Sequence, residues 1–142
     1  MIPKYLLDKE IKNLPKPFVV VCEGMGDASF LCSLLEFKGI TNCSVGCPSP
    51  PSGGSGFEAI PAYLKGLSTA AQRSGVALLG ILLVVDANGE PDDRFTYLAS
   101  ALPSANFPAP VEPFTIHNQA IRVGVFLIPG KGEKGTLCSA PD

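Results

Sequence analysis

Phe18-Val-Val-Val-Cys-Glu-Gly24 decides how this chain folds. Five apolar residues, three of them consecutive valines, follow Pro15 and Pro17 and stop at an acid and a glycine. A strand with one wet face alternates apolar and polar residues. This run is apolar at every position, which marks a central strand of a parallel sheet, buried on both faces. A second run, Val76 to Val85, has the same character and ends on Asp86. It spans ten residues, and crossing a bilayer takes about 20. It reads as a second central strand over Leu78 to Val85.

The rest of the chain falls into place around these strands. From Asp27 to Lys38 the apolar residues Phe30, Leu31, Leu34, Leu35 and Phe37 follow helical spacing, with Asp27 or Gly26 as N-cap and Gly39 as the stop. Asn42 to Cys47 reads as a short strand. Pro48 to Gly56 is a loop of Pro, Ser and Gly. Phe57 to Arg73 reads as a helix with Ile60, Leu64 and Leu67 on one face and Pro61 in its first turn, where the missing N–H costs little. Pro91 to Leu102 is a third helix, opened by Asp92-Asp93, whose charges suit a helix N-terminus. After a Pro-rich stretch, Phe114 to His117 and Arg122 to Ile128 read as two more strands. The order β-α-β-α-β-α-β-β implies an α/β fold with a mostly parallel sheet and right-handed crossovers.

The 142 residues suit a single domain spanning 1–142. The apolar fraction is 46% and the charged fraction 17%, the balance of a chain with a large core. Net charge is −2, so no global basic field attracts nucleic acid; such contact requires a local patch or a metal ion that cancels carboxylate charge. Of the five cysteines, Cys22 and Cys32 lie among core-like apolar residues. Most of the five read as reduced, small core residues of a cytoplasmic protein. Cys43 and Cys47 make half a zinc site at most, since structural zinc wants four ligands. The N-terminus to Pro17 lacks the apolar stretch of a signal peptide, and no membrane partner is expected.

In open α/β sheets, ligands bind beyond the carboxyl ends of the strands. Two strands here end on acids, as Cys22-Glu23 and Val85-Asp86. As neighbours they would lie about 4.8 Å apart, and both carboxylates would reach one cation. Asn88 and Asp27 add further oxygens. An oxygen-only set with retained waters suits Mg²⁺ or Mn²⁺, which can activate water and hold a phosphate. The plainer reading of the same residues is that acids after a strand cap the next helix.

Val21-Cys-Glu-Gly-Met-Gly-Asp27 resembles the first Toprim motif, a hydrophobic strand followed by Glu-Gly-x-x-Asp. Leu82-Leu-Val-Val-Asp-Ala-Asn88 is similar to the second, a strand followed by Asp-x-Asp. The match looks nearest to small Toprim-like proteins of unassigned activity related to the OLD nucleases. It extends more weakly to Gly56-Phe-Glu-Ala-Ile60 and Val123-Gly-Val-Phe-Leu-Ile-Pro129. The resemblance implies a Toprim-like three-layer sandwich and a magnesium-dependent, nuclease-like phosphoryl transfer on nucleic acid. It makes Glu23 the catalytic proton-transfer residue or a ligand, and Asp86 the primary metal ligand. Asn88 stands where the second acid belongs, a departure that removes one negative charge; Asp27, Glu90 and Asp92 are the acids near enough in sequence to compensate. The family continues into an acidic helical segment beyond Gly135-Thr-Leu137, with an acid where Cys138 stands here. By that comparison a C-terminal segment is missing or the site is incomplete. The alternative is a non-catalytic interaction or regulatory module on the same fold, with a protein partner and with its acids as helix caps. A third option is a small phosphorylated ligand in the glycine-rich loop mouths.

Other signals are weaker. Gly24-x-Gly26 begins a dinucleotide fingerprint, but Ser29 takes the place of its third glycine. Gly130-Lys-Gly-Glu-Lys-Gly-Thr136 departs from a P-loop because Thr rather than Lys follows Gly135. It reads as a solvated loop, or as one whose Lys131 and Lys134 steady a phosphate beside the acids. His117 is the only histidine and reads as structural, and no Ser or Cys has a visible base partner.

Overall fold

The structure is a computed structural model that describes residues 4–8, 11–48, 56–75, 77–118 and 121–128. Its elements are β1 (Phe18–Cys22), α1 (Met25–Lys38), β2 (Cys43–Gly46), a 3₁₀ turn (Phe57–Ala59) running into α2 (Ile60–Ser74), β3 (Gly80–Asp86), α3 (Pro91–Ser104), β4 (Ile116–Asn118) and β5 (Arg122–Ile128). They build a three-layer α/β sandwich around one five-stranded sheet in the order β2-β1-β3-β5-β4. Four strands are parallel, and β4 pairs antiparallel with β5. Only residues 119–121 separate β4 from β5, too few for the crossover that parallel pairing requires.

Alternation along the strands sorts the core into two. Val19 and Val21 of β1, Ile81, Leu83 and Val85 of β3, and Val123, Val125 and Leu127 of β5 face α2 and α3. They meet Ile60, Leu64 and Leu67 from α2 and Leu98 and Leu102 from α3. On the opposite face, Cys22, Cys43, Val45 and Cys47 pack against Ala28, Cys32 and Leu35 of α1. The four cysteines here are thus small buried core residues, as expected. Burial pushes the Cys22 thiol up, and the neighbouring Cys47 adds to that.

Several boundaries differ from the sequence reading. The N-cap of α1 is Gly24, not Gly26 or Asp27. The helix starts directly off the strand: Gly24 is extended and its carbonyl accepts the Ala28 N–H at 3.0 Å. Asp27 sits at the third helical position and its carboxylate accepts the Gly24 N–H, half of a capping box. Gly39 closes α1 in the left-handed region at φ 69°. β3 begins at Gly80 rather than Leu78, and α3 continues past Leu102 to Ser104 with Pro103 in its last turn. β4 begins at Ile116 because Phe114 has a positive φ of 63° and cannot extend the strand.

Candidate functional site

β1 and β3 are neighbours, paired in register from Phe18↔Gly80 to Cys22↔Val84. The chain passes from β1 to β2 on one side and then to β3 on the other, so the strand order reverses between β1 and β3. That reversal opens a crevice at the carboxyl ends, the usual ligand position in such sheets. Glu23 leaves β1 there, Asp86 ends β3, and the N-terminal turns of α1 and α3 flank them.

The two acids point to different sides because successive strand residues alternate. Glu23 follows the parity of Val19 and Val21, toward α3, and is buried. Asp86 follows Leu82 and Val84, toward α1 and Asp27, and is exposed. Both oxygens of Glu23 are engaged. Oε2 accepts the Asp86 backbone N–H at 3.0 Å, and Oε1 accepts Arg94 Nη1 at 3.1 Å. Arg94 Nη1 also donates to the Asp86 carbonyl at 3.0 Å. The Arg94 and Glu23 side chains are only 14% and 11% exposed, so this ion pair is largely shielded from water. The guanidinium lies 4.0 Å from the Phe57 ring centroid, and Phe57 packs on Tyr97 at 5.0 Å. Glu23 therefore ties together the ends of β1 and β3 and the first turn of α3.

Partial burial holds the Asp86 carboxyl above its ordinary range; the Glu23 and Asp27 carboxylates add to this, and Arg94 opposes it. Partial burial also raises Asp27, reinforced by Glu23 and opposed by the Gly24 N–H. Each acid feels the others, yet among the described residues no three His, Cys, Asp or Glu side chains converge as a metal cage. The expected adjacency of the strands holds; the parity of the two acids spreads them across the sheet end.

Asn88 lies in the exposed turn from Ala87 to Glu90, closed by a 2.9 Å bond from the Glu90 N–H to the Ala87 carbonyl. Asn88 and Gly89 have φ of 52° and 72°. Asn tolerates that left-handed geometry, so the turn alone accounts for the residue type. Lys131 and Lys134, the expected phosphate contacts, lie outside the described residues, as do Cys138 and the glycine-rich segment around them.

No family model, curated protein or solved structure matches the chain. Function has to be argued from the site itself.

Arg94 is the residue that sequence reasoning missed. It is remote from Glu23 in sequence and meets it only because β1 pairs with β3. One signal was present. Arg94 is a base in a first turn otherwise made of Pro91, Asp92 and Asp93, and a cation there opposes the helix dipole. An unfavourable charge at a helix start implies a specific partner.

Proposed function

We propose that the mouth between β1 and β3 binds a divalent cation, Mg²⁺ or Mn²⁺, and that the chain acts on phosphodiesters of nucleic acid, as a Toprim-like phosphoryl-transfer enzyme or a degenerate relative. The observation that carries this reading is the placement of Glu23, Asp27 and Asp86 around the strand-order reversal, where partial burial, reinforced by the Glu23 carboxylate, raises Asp27 and Asp86. The donor chemistry fits a hard cation. Mg²⁺ commonly takes one or two carboxylates and keeps its remaining waters, so a full protein cage is not required. Asp86 and Asp27 would hold it, with Asn88 nearby on the following turn. A bound cation would neutralise phosphate charge and acidify a ligated water. Glu23 would be the proton-handling residue, and taking a proton would cost it the Arg94 pair. The overall charge of −2 leaves cation-bridged phosphate contact as the main attraction for nucleic acid.

The second reading is a non-catalytic interaction module. Arg94 favours it, because the guanidinium already supplies Glu23 with a counter-charge and grips the end of β3. Asn88 in place of an acid points the same way.

Calorimetric titration with Mn²⁺ separates the two. On the first reading the wild type binds and Asp86→Ala, still folded, does not. Binding would justify a cleavage screen on single- and double-stranded substrates with Glu23→Gln as control. A folded wild type that takes up no Mn²⁺ leaves the interaction module.

A further inference from the structure

We propose that Arg94 is a positioning residue: as an internal counter-ion it holds Glu23 on the α3 side of the sheet end, and a divalent cation captures Glu23 only by displacing it. This rests on the cation-site reading above. Two observations carry it. Arg94 bonds both the Glu23 carboxylate and the Asp86 carbonyl, so one group fixes the ends of both central strands. The pair is largely buried, and Phe57 lies against the guanidinium, which keeps the fork in a single pose.

An arginine cannot lose its proton in a protein, so no rise in pH releases this lock. Short of protonating Glu23, release needs a competing cation that offers Glu23 more than the guanidinium does. With Asp27 and Asp86 already facing the α1 side, a freed Glu23 would supply the third carboxylate. Cation binding would then be coupled to a rearrangement at the ends of β1 and β3, and its affinity would be set by the ion pair that it must break.

Mn²⁺ calorimetry on the wild type and four variants tests this. Arg94→Met keeps an unbranched stem over Phe57 and removes the charge; it should bind Mn²⁺ at least about tenfold more tightly than wild type, given one cationic charge removed at close range. Glu23→Gln, which keeps an acceptor for the Asp86 N–H, should bind more weakly than wild type. In the Glu23→Gln background, Arg94→Met should give a much smaller gain. Arg94→Lys keeps the charge and loses the planar guanidinium seated on Phe57, and should give a smaller gain of the same sign, a result available even if Arg94→Met fails to fold. Equal affinity in wild type, Arg94→Met and Arg94→Lys, or a gain of the same size with and without Glu23, would overturn the inference while leaving the cation site standing. Absence of Mn²⁺ binding in all five folded proteins would remove both.

Discussion

Asp86 and Glu23 leave adjacent strands in opposite directions, and the electrostatics of the strand ends follow from that. Glu23 turns into protein, where a guanidinium and a backbone N–H meet it. Asp86 turns outward, where partial burial and two other carboxylates raise it and only Arg94 opposes them. A carboxyl whose folded-state pKa lies above its unfolded value holds its proton more tightly when folded. Its stabilising contribution is present below the ordinary value of 3.8 and is lost as pH rises through the raised value. Ionised Asp86 therefore weakens the metal-free fold at neutral pH. Asp86→Asn removes that charge and should raise the thermal midpoint at pH 7 in the presence of a chelator. At about pH 3, where Asp is protonated in either state, the difference should vanish. A midpoint that falls at pH 7 would mean that Asp86 is stabilised as an anion, contrary to the push of its partial burial and of the neighbouring carboxylates. Added Mn²⁺ should reverse the order at pH 7, because a bound cation favours the ionised wild type.

The turn joining β3 to α3 sets both backbone shape and charge at the site, and Asn88 separates the two. At φ 52° a residue with a Cβ pays for the left-handed region unless it is Asn, Asp or Gly. Asn88→Ala should cost about 1 kcal/mol in chemical denaturation. Asn88→Asp should leave stability nearly unchanged in chelator, because Asp adopts the same region, and should tighten Mn²⁺ binding by adding the acid that the Toprim pattern carries there. Loss of stability in both variants would point to an amide-specific role for Asn88. At this scale the sequence is most legible where a rule is local. The valine run, Gly39 and Pro61 each fix an element through their own backbone or burial preferences, and β1, α1 and α2 follow. Gly24 as a cap was less visible, because its role depends on the helix starting within two residues of the strand. Arg94 was not visible as a partner of Glu23, because the contact exists only through the register of β1 on β3. Strand order is a non-local property, and no residue of β1 or β3 announces it.

The whole molecule has an uneven build. Both α2 and α3 cover one face of the sheet over β1, β3 and β5, whereas α1 covers the other face chiefly over β1 and β2. Beyond α1 that face carries an apolar groove of about 430 Å³ lined by Phe18, Val20, Leu82, Ile116 and Phe126. It sits toward the amino ends of the strands, away from the acids, and offers little for polar chemistry. The edges differ as well. The outer edge of β2 is paired by the segment around Leu6, through the Leu7 N–H to the Val45 carbonyl at 2.8 Å and the Val45 N–H to the Tyr5 carbonyl at 2.6 Å. The other edge, β4, is three residues long and starts with the half-exposed Ile116. Local opening follows buried contact, so native-state hydrogen exchange should rank these parts. Amides of Val21, Leu83 and Val125, whose side chains are fully buried between strands and helices, should exchange only through global unfolding. Amides of α2, anchored by Ile60, Leu64 and Leu67, should come next. Those of α1, with three buried side chains and with Phe30, Leu34 and Phe37 exposed, should open earlier, and β4 earliest. Protection of α1 equal to that of β3 would show that the face beyond α1 is covered in solution. A site whose acids come from β1, β3 and α1 would then rest on a more rigid platform than the described residues provide, and the displacement of Arg94 from Glu23 would have to occur without movement of α1.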